Sequence, residues 1–319
     1  MEKIMYIKKV DNYDEIIKKY NRLPMFFKKI IYLYRNLFGK PIIKRIDKKE
    51  IMILPFQEKI LNTKIEKILL KQIKRNTLNK NTKVVIEDEL MKYNIEYILY
   101  KNNIEIIKGN MTRKLLVLDV LKYIGDIQKK DIKQEEITIL ANELTEVNEL
   151  IIRNIAHICK TVKIVSKKIY NFKNLDKELY EENGIPIQFS NSYRKSLVKP
   201  KIVINLDFDE IEINEYTINN SAIIINTNNK LKIKSKMFNG IIVNNYKITF
   251  AKEIRKGFLT SGLLHGFDEI KLYESTIKEE NIENILSNMK KDKLRIINCI
   301  GNNGIINKKE FKSIDKNQF

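Results

Sequence analysis

Residues 137–149 run Ile137-Thr138-Ile139-Leu140-Ala141-Asn142-Glu143-Leu144-Thr145-Glu146-Val147-Asn148-Glu149. Ile137 to Ala141 form a short, almost unbroken apolar run, the pattern of a strand covered on both faces. From Glu146 to about Cys159 the period changes. Val147, Leu150, Ile151, Ile155 and Ile158 recur at helical spacing. Thr145 stands where an N-cap belongs, with Asn148 and Glu149 close enough to share the hydrogen bonds of the first turn. A buried strand, a short turn and an amphipathic helix make the opening unit of a parallel α/β sheet.

The same unit recurs downstream. Val162-Lys163-Ile164-Val165 reads as a second strand, and residues 172–182 as a helix stopped by Gly184. Residues 185–189 form a third strand. Its Pro186 cannot donate to a ladder, so the strand is expected at a sheet edge. Residues 201–206 and 222–226 are nearly continuous apolar runs, as buried parallel strands are. Right-handed crossovers then predict a doubly wound sheet over residues 135–250, with its first strand between the second and the fourth. The ligand crevice of such a sheet opens beside Asn142 and Asn205. Residues 251–319 are expected as a tail packing back on the body. It comprises a helix over 269–289, a strand over 294–300, a tight turn at 301–304 and a frayed end.

Upstream, residues 1–130 alternate strands and helices and predict a second, basic α/β domain. Pro24 and the Gly39-Lys40-Pro41 stop bracket a helix over 25–38, with Phe26, Ile30, Leu33, Tyr34 and Leu37 on one face. Apolar residues nearly surround it, so it is expected to be buried. The competing reading is a basic amphipathic helix lying on a membrane surface. Strands are expected at 51–54, 83–86 and 104–107, and helices at 58–74 and 111–124, the last ended by Gly125. The polar run over 129–136 marks the expected domain boundary.

Composition narrows the function classes. With Cys159, Cys299, His157 and His265 as the whole cysteine and histidine inventory, no ordinary zinc site and no disulfide framework can be built. No apolar signal core opens the sequence, and no apolar stretch approaches the ~20 residues of a membrane span. A cytoplasmic protein is the expectation. The formal net charge is +20. The abundance of Lys, Ile and Asn fits a bias toward A/T-rich codons, which is favoured over nucleic-acid binding. Against an even bias, residues 1–130 hold 30 basic and 15 acidic residues, so three quarters of the net charge lies there.

Two local patterns carry a resemblance. Lys201-Ile202-Val203-Ile204-Asn205 ends a strand in Asn, and Ser166-Lys167-Lys168 follows the second strand. With the strand order, residues 135–245 resemble the nucleotide-binding half of shikimate dehydrogenase and glutamyl-tRNA reductase-like proteins. The resemblance implies a Rossmann-like domain and NADP as cofactor. It implies that Ser166, Lys167 and Lys168 meet the adenosine 2′-phosphate and that Asn205 lies beside the cofactor.

The turn after the first strand departs from that pattern. A dinucleotide site needs G-x-G-x-x-G there, so that the backbone turns tightly and approaches the pyrophosphate. The chain offers no glycine between Asn142 and Glu149, and it offers Glu143, Glu146 and Glu149 where phosphate would sit. Conventional dinucleotide binding is therefore not expected, and no cofactor is assigned. A minor alternative makes Asn142, Glu143 and Glu146 the lining of a crevice for a cationic ligand or metal.

Other chemistry is sparse. His157 reads as a buried or half-buried structural histidine, and His265, between Leu264 and Gly266, as a loop residue without a paired nucleophile. Asp207, Asp209 and Glu210 read as acids facing water, and Tyr193-Arg194-Lys195-Ser196 as a solvated basic turn. No metal site and no catalytic residue is assigned. The expected function is a non-catalytic regulatory, scaffolding or assembly module, with a protein partner or a second copy. The alternatives are an NADP-dependent oxidoreductase with an atypical phosphate loop, or a nucleic-acid or anionic-surface binder acting through the basic half.

Overall fold

A computed structural model describes residues 3–9, 22–38, 41–46, 49–54, 58–277 and 281–316. The chain is mixed α/β and divides into two compact units. One comprises Met1–Gly109 with Ala251–Lys278, the other Asn110–Phe250 with Glu279–Phe319.

In chain order the first 109 residues supply β1 (Lys3–Lys9), α1 (Met25–Phe38), β2 (Ile42–Ile46) and β3 (Lys49–Leu54). They continue with α2 (Glu58–Lys74), β4 (Thr82–Ile86), α3 (Ile95–Lys101) and β5 (Glu105–Ile106). The second unit begins with α4 (Asn110–Leu115), α5 (Val117–Gln128), β6 (Glu136–Leu140), α6 (Glu146–Ile158) and β7 (Thr161–Val165). Next come α7 (Lys173–Asn183), β8 (Ile187–Ser190), β9 (Ile202–Asn205), α8 (Glu210–Asn214) and β10 (Ile223–Asn226). Then β11 (Ile241–Val243) and β12 (Asn245–Thr249) precede α9 (Lys252–Thr260) and α10 (Glu269–Glu274). The chain ends in α11 (Ile282–Lys291), β13 (Arg295–Gly301), β14 (Gly304–Ile305) and α12 (Lys308–Lys316).

The sheet of the second unit has the order β11-β10-β9-β6-β7-β8. Every pair in it is parallel. The first strand of the unit, β6, lies between β7 and β9, and the order reverses there as in a Rossmann sheet. β9 and β10 are buried at every residue, which is why their sequences are unbroken aliphatic runs. β8, preceded by Pro186, is the edge strand. A second, antiparallel sheet β12-β13-β14 completes the unit.

The first unit has the sheet β2-β3-β1-β4-β5, parallel except for β2 against β3. Its core gathers Met5, Ile7, Met52, Leu54, Leu69, Val84 and Leu99. The central strand, β1, has no counterpart among the sequence expectations. Its apolar run, Ile4-Met5-Tyr6-Ile7, is only four residues long and stands among lysines, one of which, Lys8, is buried with it.

Several boundaries differ from the sequence expectation. The division falls after Gly109 and not at the polar run 129–136, because α4 and α5 bury Leu115, Leu116, Val117, Val120, Leu121, Ile124 and Ile127 in the second unit. Gly125 lies inside α5, packed against Ile132. The helix ends instead at Lys129, whose φ is 58°. The expected tail is not one body. Residues 251–278 belong to the first unit, where the Tyr6 and Ser275 hydroxyls hydrogen-bond at 2.8 Å and Lys271 pairs with Asp88 at 2.7 Å. The helix expected over 269–289 is two, α10 and α11, and residues 278–280 lie outside the described residues. The end does not fray at 304. Phe311 of α12 is fully buried, and its carbonyl accepts from Gln128 Nε2 at 2.9 Å. The helix at 25–38 forms as expected but is not buried: Phe26 is 68% exposed and Leu33 57%. Gly39, its expected stop, lies outside the described residues.

Candidate functional site

The carboxyl ends of β6, β7, β9 and β10 meet where the strand order reverses, the place at which parallel α/β sheets bind ligands. After β6 the chain turns through Asn142 and Glu143 and enters α6. Thr145 caps that helix: its φ and ψ are −76° and 159°, and its hydroxyl accepts from Asn148 N at 3.2 Å.

In a dinucleotide-binding turn, successive backbone N–H groups face the pyrophosphate. Here two successive N–H groups converge on a carboxylate of the same chain. Asn142 N donates to Asp207 Oδ1 at 2.8 Å, and Glu143 N donates to Asp207 Oδ2 at 2.9 Å. Asp207 stands two residues beyond the end of β9, the neighbour of β6, so the parallel register carries it to the same edge. Asn148, fully buried, holds the arrangement from below. Its amide nitrogen donates to Glu143 O at 2.8 Å and reaches Asp207 Oδ2 at 3.4 Å, while its oxygen accepts from Lys114 Nζ at 2.8 Å.

The electrostatics follow from burial. Desolvation pushes the Asp207 carboxyl above the usual carboxylate value; the two backbone donors and the Lys114 charge oppose that push without cancelling it. Desolvation lowers Lys114, and the Asp207 charge works the other way.

The residues that the resemblance assigns to NADP are engaged within the fold. Lys168 pairs with Glu143, which holds its ammonium above the usual lysine value. Lys167 Nζ lies 3.0 Å from Glu215 Oε2 and 3.5 Å from Glu212 Oε1, and the Glu215 hydrogen bond raises its pKa. Lys167 N donates to Asn142 Oδ1 at 2.9 Å, and Ser166 is buried with its hydroxyl accepting from Lys168 N at 2.9 Å. The Asn142 side chain in turn donates to Glu212 Oε1 at 3.1 Å.

Asn205 faces the other way. Its Nδ2 donates to Phe208 O and to Asn226 Oδ1, each at 2.9 Å, and its Oδ1 accepts from Phe208 N at 3.0 Å. Asn226 Nδ2 donates to Asn244 Oδ1 at 2.8 Å, and Asn244 Nδ2 to Asn302 Oδ1 at 3.0 Å. Four asparagines thus form a ladder along the carboxyl edge of β9, β10 and β11 and on to the β13–β14 turn.

The structure therefore brings Asn142, Glu143, Ser166, Lys167 and Lys168 together. It turns Asn205 into the ladder and leaves Glu146 exposed in the first turn of α6. Asp207, expected to face water, is the carboxylate at the turn, a position that the sequence pattern assigns to Glu143 and Glu146. Lys114 and Glu212 have no place among the sequence expectations. His157 is exposed in the last turn of α6, not buried; His265 is exposed in a turn. Ser196 of the basic turn 193–196 is buried against Ser190, their hydroxyls 2.6 Å apart. No group of three or more His, Cys, Asp or Glu suited to a metal occurs among the described residues. Among them too, no helix is long and apolar enough to cross a membrane.

A dinucleotide does not fit these residues. The turn has no glycine, its two leading N–H groups already have an anionic acceptor, and Lys167 and Lys168 are in ion pairs.

No protein-family model matches the chain, and no curated protein matches it in sequence. Among solved structures, L-tryptophan dehydrogenase from Nostoc punctiforme is similar over 86% of this chain and 78% of its own, at 10% identity and a TM-score of 0.33. A dipicolinate synthase polypeptide from Bacillus halodurans is similar over 70% of this chain and 81% of its own, at 13% identity and a TM-score of 0.33. The 5-ketofructose reductase of Gluconobacter sp. strain CHM43 is similar over 89% of this chain and 99% of its own, at 9% identity and a TM-score of 0.31. Likeness at these scores carries no argument about what this chain does.

Proposed function

We propose that this chain is a non-catalytic Rossmann-like protein, a regulatory, scaffolding or assembly module whose dinucleotide crevice is filled by its own side chains. The observation that supports the reading is the Asp207 carboxylate on the Asn142 and Glu143 amides. An anion already bound there, covalently part of the chain, competes at very high effective concentration with any phosphate from solution. Glu146, exposed in the first turn of α6, adds charge of the same sign, which disfavours a phosphate further.

The test is a thermal titration of the intact protein with NAD and NADP at millimolar concentration. No rise in Tm is expected for either. A stabilisation of about 2.7 kcal/mol, the value for a ligand at a hundred times its Kd, overturns the reading in favour of an NADP-dependent enzyme. A second arm asks whether Asp207 is the reason. Inorganic pyrophosphate is expected to stabilise Asp207→Ala and to leave the native protein unchanged. Equal stabilisation of both also overturns the reading.

A further inference from the structure

Helix α1 is the least explained element of the molecule. Met25, Phe26, Phe27, Ile30 and Leu33 are each between 46% and 68% exposed, although all are large and apolar. The Phe26 and Phe27 rings meet edge to face, 5.8 Å apart, so the surface is a cohesive aromatic patch and not scattered side chains. Clustered apolar exposure of this kind marks an interaction surface.

Charge says what that surface fits. Residues 16–46 contain Lys18, Lys19, Arg22, Lys28, Lys29, Arg35, Lys40, Lys44 and Arg45, and no Asp or Glu. The chain elsewhere is rich in carboxylates, with 40 in 319 residues, so a carboxylate-free run of 31 residues is a local property. Apolar and cationic groups thus share one short segment.

Three partners compete for such a segment. Nucleic acid would answer the cations but leave Phe26, Phe27, Ile30 and Leu33 in water. A second copy would cover the apolar residues but bring the same cations into apposition without a counter-charge. An anionic bilayer answers both, with acyl chains for the apolar side and headgroup phosphates for the lysines and arginines. The 14 residues of α1 extend about 21 Å, too short to span a hydrocarbon core of about 30 Å, so the helix would lie in the interface plane.

We propose that α1 docks this protein on an anionic phospholipid surface. The helix inserts Phe26, Phe27, Ile30 and Leu33 among the outer acyl chains while Lys28 and Lys29 meet the headgroups. The proposal stands apart from the crevice of the second unit and does not rest on it.

The test is co-sedimentation of the full chain with vesicles of phosphatidylcholine alone and of phosphatidylcholine with 30% phosphatidylserine. Binding is expected only to the second, weakening as salt rises because surface potentials are screened. The double variant Phe26→Ser/Leu33→Ser should lose about tenfold or more in partitioning, since the two side chains together contribute more than the 1.4 kcal/mol that a factor of ten represents. Lys28→Glu/Lys29→Glu should weaken binding to the anionic vesicles in the same direction. Both variants alter exposed or half-buried positions and should keep the native Tm. No binding to either vesicle, or equal binding to both, overturns the proposal. So does concentration-dependent dimerisation in analytical ultracentrifugation that Phe26→Ser/Leu33→Ser abolishes, which would make the occupant a second copy.

Discussion

Asp207 lies 65 positions from Asn142 in the chain, and the parallel pairing of β6 with β9 makes them neighbours. Replacing it by alanine leaves two backbone N–H groups and Lys114 without their carboxylate. At about 1–3 kcal/mol for each stranded donor, Asp207→Ala should lose about 2–4 kcal/mol in urea unfolding, allowing for entry of water. The pH dependence has a definite sign. The folded-state value is raised above the unfolded one, so the native protein takes up the proton first on acidification. The stability contribution of this titration is fully present below the ordinary carboxylate value and is lost as pH rises through the raised value. The advantage of the native protein over Asp207→Ala should therefore widen between pH 7 and pH 4. A gap that narrows over that range would show that the backbone donors and Lys114 outweigh burial. At this scale the sequence discloses what is local. Thr145 as a cap and the missing glycines are readable from neighbours a few residues away. Asp207 and Lys114 are not, since their partners are set by strand pairing and packing. The usable signal for Asp207 is an acid two residues past a buried strand that ends in Asn205.

Strands and helices are legible in proportion to how uniform their environment is. β9 and β10 are covered on both faces, and their aliphatic runs announce it. Pro186 announces the edge position of β8. α1 shows the limit of the same logic. An apolar period reports that a face avoids water, not whether a protein core or some other apolar surface will cover it. The asparagine ladder is the element-scale device that no period reveals. Asn205, Asn226 and Asn244 close the ends of three adjacent strands by pairing side chain to side chain, all of them buried. Asn226 sits in the middle and serves both neighbours. Asn226→Leu should cost about 3 kcal/mol or more, because it strands Asn205 Nδ2 from one acceptor and Asn244 Oδ1 from one donor in a low-dielectric interior. Asn228→Ala, at a half-buried position with one long bond of 3.3 Å to Asp207 O, should cost less than about 1 kcal/mol. Equal costs in urea melts would show that the ladder contributes no more than an ordinary surface amide.

For the whole molecule, the α/β class and the topology of the larger sheet are legible in the sequence, whereas the division between units is not. The polar run 129–136 looks like a linker because charge runs usually are solvated. What decides the division is where apolar area is buried, and α5 buries its apolar face among elements of the second unit. Return of residues 251–278 to the first unit is equally hidden, since periodicity along a chain carries no information about which body a helix joins. The two assignments of α5 make opposite forecasts. Leu121 is 1% exposed, and Leu121→Ala should destabilise by about 2–5 kcal/mol, as cavity-forming substitutions do. If α5 belongs to the second unit, hydrogen exchange should accelerate at the amides of β6, β7, β9 and β10 and stay unchanged at those of β1, β3 and β4. If it belongs with the first 109 residues, the pattern reverses. An equal loss of protection in both sheets would mean that the units open as one cooperative body, and the division after Gly109 would then have no energetic meaning.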